Sequence, residues 1–311
     1  MKNFWLTLPK PIITLAPIAG YTDSAFRLIC KKMGAQVVYS EMISVDAICF
    51  NNQKTLRMLQ HSSQEYPLVF QLFGNDPKKF TQAIKIINQI LPAHKKIGID
   101  VNFGCPAHKV TKNGSGAALM NETKIAYQII KNVCTHSNFP VSIKIRTQAK
   151  ETTAIDFIKQ IKDLPWTTIM IHGRTFKQGF TGPVDLTTIK KIKQLIPNKI
   201  VLANGGINNL NIAQQTLKTT QTDGLGLARG AWGNPWLFKE IKKRKKINIS
   251  WSARKKIILE HAKYFLKNNT QLEPLRKHLI HYIKGQKNAS QLRQQLIQVN
   301  TLKELKQILK K

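Results

Sequence analysis

A cysteine set between a glycine and a proline, in the run NFGCPAHKV, is the sharpest candidate for chemistry in this 311-residue chain. Cys105 follows a strand-like run, and the proline after it stops a helix from continuing. A thiol held over an electron-rich carbon can act as a proton donor. A free cysteine packed in a core is usually inert, and Cys30, Cys49 and Cys134, in helical or loop contexts, are read that way. The glycine-rich stretch KNGSGAAL after Cys105 reads as a mobile loop able to close over a substrate.

Lys144 lies between Ile143 and Ile145, where a charge is costly without an anionic or polar partner. There it can stabilise a flavin carrying negative charge at its N1 and C2 oxygen end, and His172 can hydrogen-bond the same ring or its phosphate. A lone histidine is more often a satisfied core residue, but Arg174 on the same polar rim weighs toward function. Asn204, Gly205 and Gly206 form NGG, and Ala228, Arg229 and Gly230 form ARG. A tight turn alone would explain NGG. Paired with ARG on the next strand, its bare backbone fits a phosphorylated cofactor, to which Arg229 adds a bidentate contact.

These residues need a scaffold, and the chain supplies a repeated unit. Short β-branched apolar runs end in polar or glycine-rich residues, each followed by a Lys-rich amphipathic stretch of helical length. Eight runs start at Ile12, Val37, Leu68, Ile97, Val141, Thr168, Ile200 and Gly224. Alternation of this kind implies parallel βαβ units, and eight of them in about 230 residues suit a (β/α)8 TIM barrel. A doubly wound open sheet is the competing architecture, disfavoured because the first run lacks GxGxxG. Barrel sites form at the C-terminal ends of the strands. That rule collects Ala16, Pro17 and Ile18, then Glu41, Gln71, Asn102 with Cys105, Lys144 with Arg146, His172 with Arg174, and the NGG and ARG clusters.

After the eighth unit the pattern becomes helical, with a basic bridge, IKKRKKINIS, between the two. The expected division is a catalytic barrel over 1–244 and a small all-α bundle of about four helices over 245–311, with Ile257, Ile258, His261, Phe265, Leu275, Leu279 and Tyr282 on inner faces.

Charge is the unusual bulk property. Against 16 acids the chain carries 49 Lys and Arg, a net of +33, where solubility alone asks for roughly 2 to 8. A polyanionic partner is expected. Residues 1–240 hold +17 and residues 241–311 hold +16, so the tail is charged at about three times the density of the barrel. The four cysteines show no CxxC pair, which indicates neither a zinc module nor a disulfide framework and suggests a reducing cytoplasm. No apolar stretch approaches the roughly 20 residues of a membrane span, and MKNFWLTLPK lacks the apolar segment of a signal peptide. The expectation is a cytoplasmic monomer without membrane association or bound metal.

In order and spacing, LAPIAGYTDSAFR, SEM, QLFG, DVNFGCPAHKV, GAALM, IKIRT, IHGRTFKQGFTG, ANGGI, ARGAWGNPW and PLRKHLIHY resemble the tRNA-dihydrouridine synthase family over essentially the whole chain, nearest its bacterial B-type branch. The resemblance implies an FMN enzyme, reduced by NADPH or NADH, that reduces the C5=C6 bond of specific uridines in tRNA. Cys105 would protonate C5. Ala16, Pro17, Ile18, Gln71, Lys144 and His172 would contact the flavin ring and ribityl chain, with Asn204, Gly205, Gly206, Ala228 and Arg229 at its phosphate. Asn102 and Arg174 would serve the substrate. Flipping a stacked uridine costs a few kcal/mol, which tail cations can offset through phosphate contacts; Arg276 and Lys277, with His278, His281 and Lys284, are expected on one such helix. Two competing readings are an FMN barrel oxidoreductase acting on a free pyrimidine, which has no need of the cationic tail, and an RNA-binding relative with a dead barrel, against which Cys105, Lys144 and His172 argue.

Overall fold

The computed structural model describes residues 3–94 and 96–310. Met1, Lys2, Lys95 and Lys311, which the ranges 1–244 and 245–311 include, lie outside the described residues. Eight parallel strands close a barrel in chain order: β1 (Ile12–Leu15), β2 (Val37–Ser44), β3 (Leu68–Phe73), β4 (Ile97–Phe103), β5 (Val141–Arg146), β6 (Thr168–His172), β7 (Ile200–Asn204) and β8 (Gly224–Leu227), which pairs back to β1. The (β/α)8 expectation holds, and among the described residues only helices follow it.

Around the barrel run α1 (Ser24–Lys32), α2 (Val45–Cys49), α3 (Pro77–Ile90), α4 (Thr123–His136), α5 (Ala154–Ile161), α6 (Leu186–Leu195), α7 (Leu210–Thr220) and α8 (Trp236–Lys243). Local chemistry starts them where the strands end. Asp23 accepts the Phe26 N–H at the head of α1, and Asp76 accepts the Lys78 N–H ahead of Pro77 at the head of α3, each satisfying a free donor of the first turn.

The period of two along the strands separates two cores. Outward residues such as Ile99, Val101, Ile143 and Ile171 pack against the helices. Inward residues Ile12, Val37, Tyr39, Val69, Met170, Ile200 and Leu202 fill the lower barrel, where Phe4 and Trp5 stack at 4.9 Å and join the same cluster. Above them the inward positions turn polar. Gln71, Asp100 and Ser142 are register partners in one layer, and Asn102 pairs with Lys144 in the next.

Two local expectations need correction. The second strand does not stop at Glu41. A register irregularity between Tyr39 and Met42 lets β2 run on to Ser44, and the Glu41 carboxylate accepts the Gly20 N–H. The segment from β2 to β3 also lacks a long helix; the short α2 and a turn of helix at Gln53–Leu56 take its place.

Arg244, in the left-handed region at φ 52°, ends α8. Among the described residues four α-helices follow, α9 (Trp251–Phe265), α10 (Arg276–Tyr282), α11 (Ala289–Leu296) and α12 (Leu302–Lys310). All seven expected inner residues of this tail are buried. The α9 helix lies on α1, with Lys32 and Glu260 paired at 2.6 Å and the Phe26 and His261 rings 5.7 Å apart. No helix among the described residues is long and apolar enough to cross a membrane.

Candidate active site

The C-terminal ends of the strands open into a cavity of ≈ 990 Å³. Ala16, Pro17, Ile18, Gln71, Asn102, Cys105, Lys144, His172, Arg174, Asn204, Gly205, Gly206, Ala228 and Arg229 all line it. Residues spread over more than 200 positions of sequence converge because a parallel barrel sends every strand end to the same rim.

A chain of hydrogen bonds runs from the barrel interior to the thiol loop. Asp100 accepts from Ser142 Oγ at 2.6 Å and from Gln71 Nε2 at 2.7 Å. Gln71 Oε1 accepts from Asn102 Nδ2 at 2.8 Å, and Asn102 Oδ1 accepts the Gly104 and Cys105 N–H groups at 3.0 and 2.9 Å. An ionised carboxylate can only accept, so each amide in the chain is set one way round. Burial raises Asp100 to about 6, against the hydrogen bonds from Ser142 and Gln71 and the nearby Lys144 charge. Arg146 clamps the same loop from the other side, with Nε on Gly104 O at 2.7 Å and Nη1 on Thr175 O and Gly179 O at 3.0 and 2.8 Å.

The electrostatics are one-sided. Lys144, Arg146, Arg174, Arg229 and Lys284 line the cavity, and no carboxylate among the described residues does. Burial, with Arg146 as a second cause, lowers Lys144 to about 8. Burial and then four surrounding cations push His172 down to about 2, so its imidazole is neutral. The neutral ring takes Arg174 Nη1 at 3.4 Å from Nε2. Burial raises the Cys105 thiol above its ordinary value, so it keeps its proton at neutral pH.

At the β7 and β8 ends the backbone is bare. Gly205 and Gly206 sit at φ 117° and 70°, and a side chain on Gly205 would come within 2.7 Å of the His172 ring. The N–H groups of Gly205, Gly206 and Arg229 make no hydrogen bond among the described residues. Unused donors beside Arg229 form an anion cradle. Arg229 Nη2 also holds Phe180 O at 3.0 Å, and the Phe180 ring lies under both Arg229 and Arg146, 4.9 and 5.6 Å from their guanidinium carbons.

Arg276 and Lys277 do not line the cavity and do not act alike. Arg276 is spent inside the tail, donating to Val299 O at 2.9 Å, Gln298 O at 3.1 Å and Asn300 Oδ1 at 2.6 Å. Lys277 reaches the barrel, 5.3 Å above the Tyr21 ring, which stacks on Trp232 at 4.0 Å. The basic helix expected here is also less basic than it reads. His278 is 1% exposed, and Lys284 lies past the end of α10 at Tyr282, where it joins the cavity lining.

Asp100 and Ser142 escaped the strand-end rule because they sit one layer below the rim. Period two from Asn102 and Lys144 points to both of them. Phe180 and Trp232 lie in loops, and nothing in their spacing marks them.

A family model described as dihydrouridine synthase (Dus) matches residues 14–311. A protein of Aquifex aeolicus named "Probable tRNA-dihydrouridine synthase" is 28% identical over 306 residues, 96% of this chain and 95% of its own length. The tRNA-dihydrouridine synthase B of Xanthomonas axonopodis pv. citri is 34% identical over 233 residues, 74% of this chain and 69% of its own, and that of Shewanella oneidensis is 34% identical over 259 residues, 81% and 79%. Among solved structures, a 2-naphthoyl-CoA reductase complex superposes with a TM-score of 0.56 at 11% identity, covering 75% of this chain and 50% of that one. Histamine dehydrogenase from Rhizobium sp. 4-9 gives 0.52 at 14% identity, covering 81% and 49%. At such identities these two likenesses concern the fold alone.

Proposed function

Because the chain belongs to the dihydrouridine synthase family, we propose that it reduces the C5=C6 bond of uridines in tRNA to 5,6-dihydrouridine, with FMN as its bound flavin and NADPH as reductant. The observation that carries this reading is the cavity itself, where a protonated thiol shares the lining with five cations and, among the described residues, no carboxylate.

The residues present fit FMN. Three unused N–H donors and Arg229 suit its phosphate. Ala16 and Gly226 line the cavity with little bulk, which leaves room for a planar ring system. Lys144 makes no ion pair among the described residues, so its charge is available to an anionic ring edge. When bound, the flavin supplies hydride to the uracil ring. Neutral His172 can donate or accept a hydrogen bond without adding charge. Asn102 holds the Cys105 backbone, and Cys105 holds the proton destined for C5. A raised thiol pKa suits a proton donor better than a nucleophile.

In this reading residues 1–244 bind flavin and perform the reduction, while residues 245–311 dock tRNA. Purified protein should be yellow and should form dihydrouridine in unmodified tRNA when NADPH is added. Reduction of free uridine or uracil at a comparable kcat/KM, with tRNA left unmodified, would refute tRNA as the substrate.

A further inference from the structure

The proposed tail docking surface accounts for only half of the net charge. The +17 on residues 1–240 is not spread evenly over the barrel mouth. The loops after β2, β3 and β4, residues 45–57, 74–79 and 104–113, carry six cations, Lys54, Arg57, Lys78, Lys79, Lys109 and Lys112, against two acids, Asp46 and Asp76. Both acids are engaged. Asp46 pairs with Lys79, and Asp76 caps α3. The other five cations are exposed and form no ion pair among the described residues. The loops after β5, β6 and β7, residues 147–153, 173–185 and 205–209, hold three cations against two acids, and one of those cations, Arg174, is buried in the cavity.

The basic loops form one surface. Cys49 Sγ donates to Lys79 O at 3.4 Å, which ties the β2 loop to α3, and Asn75 Nδ2 donates to Asn113 O at 2.7 Å, which ties the β3 loop to the segment after Cys105. On it stands Phe50, 78% exposed, the most solvent-accessible of the large apolar side chains among the described residues. Its ring has Lys79 Nζ at 5.8 Å, and Asn51, at φ 53°, turns the chain sharply beside it. An aromatic ring left in water beside Lys79, on loops that carry five further cations without ion pairs among the described residues, matches the pairing of stacking platform and phosphate contacts that proteins use for single-stranded nucleic acid.

From this juxtaposition we infer that the loops after β2, β3 and β4 form a second RNA-docking surface, on which Phe50 stacks an unpaired base while Lys54, Arg57, Lys78 and Lys112 hold the flanking phosphates. The surface lies on the barrel and on the same rim as Cys105, apart from the tail. RNA engaged here and at the tail is held at two places around the mouth. A base displaced from its own stack finds a new partner in the Phe50 ring, which offsets part of the cost of opening the RNA.

The inference rests on tRNA being the substrate, and the two can fail separately. Full-length, flavin-loaded protein is titrated with unmodified tRNA over a range of salt, and dihydrouridine formation is followed in parallel. Wild-type protein that neither binds nor modifies tRNA sinks the functional reading. If the wild type binds, Phe50→Ala should weaken tRNA binding about tenfold with flavin content unchanged, and Phe50→Trp should restore it. The double variant Lys54→Ala/Lys78→Ala should lower the salt slope by about 1 to 2, whereas Phe50→Ala should leave the slope alone. Phe50→Leu separates stacking from burial. Restored affinity with leucine overturns the stacking role and marks an apolar protein contact, while unchanged affinity in Phe50→Ala and in the double lysine variant removes the surface altogether.

Discussion

Barrel and tail carry nearly equal net charge, +17 in residues 1–240 and +16 in residues 241–311, and use part of it differently. Of the five cations at the cavity, Arg146 and Arg174 are buried and Lys144 is half-buried, while Arg229 and Lys284 stay exposed at its mouth. Lys144 falls to about 8 and Arg146 to about 10, both chiefly through burial. Most tail lysines stay in solvent. Arg146 is held by three carbonyl oxygens, but a desolvated cation without an ion pair, as Lys144 is among the described residues, is an expense of folding that a bound anion relieves. A solvated cation exchanges small ions for phosphates and acts through salt-dependent association. In the proposed function one kind of charge holds a small ligand in a fixed place, and the other gathers a polyanion.

The largest effect expected from breaking this contrast lies at the thiol. Cys105→Ala should lower dihydrouridine formation by roughly 10²–10⁴-fold, the usual worth of a positioned proton donor, with flavin content unchanged. Full activity in single-turnover assays on tRNA would refute the role. Next comes the seam between the two regions. At Gly233, with φ 64°, a Cβ would lie 2.1 Å from His281 O. Gly233→Ala should therefore cost roughly 2–4 kcal/mol in urea unfolding and weaken tRNA binding more than flavin binding.

Within the cavity, Lys144→Met should weaken FMN binding by about 10–100-fold, as expected for losing a contact to a charged group. The pH dependence follows from the sign of the shift. Burial lowers Lys144 to about 8, so its ammonium form predominates below that pH and is lost as pH rises through it. FMN affinity of the wild type should fall between pH 7 and 9.5, and the Met variant should show a flatter profile. The smallest effects separate two neighbours. Arg276→Ala removes three hydrogen bonds within the tail and should lower stability by about 1–2 kcal/mol. Lys277→Ala should leave stability unchanged and reduce the salt slope of tRNA binding by about 0.7 to 0.9. A reversed pattern would mean that Arg276, and not Lys277, is the phosphate contact.

Much of this was legible in one dimension. Eight apolar runs with polar ends specify a closed barrel, because the alternation of strands with helices and the period of two are local properties. The strand-end rule then reaches all fourteen barrel residues proposed for the site, from Ala16 to Arg229, and the structure brings them to one cavity. The tail shows where this reading stops. Arg276, Lys277 and His278 are consecutive and basic, yet one is bonded inside the tail, one faces Tyr21 and one is buried. Periodicity says which residues share a face. It does not say which neighbours that face meets.

The sequence by itself determined the architecture, the candidate thiol and the strand-end residues, since these depend on residue type and short-range period. Only the tertiary structure decided the acceptor chain from Asp100 to the Cys105 backbone, the clamp that Arg146 makes on the thiol loop, the entry of Lys284 into the cavity lining and the exposure of Phe50. All depend on how segments remote in the chain are placed against one another. Such placements follow from how the strands close and how the tail seats, which no local pattern encodes.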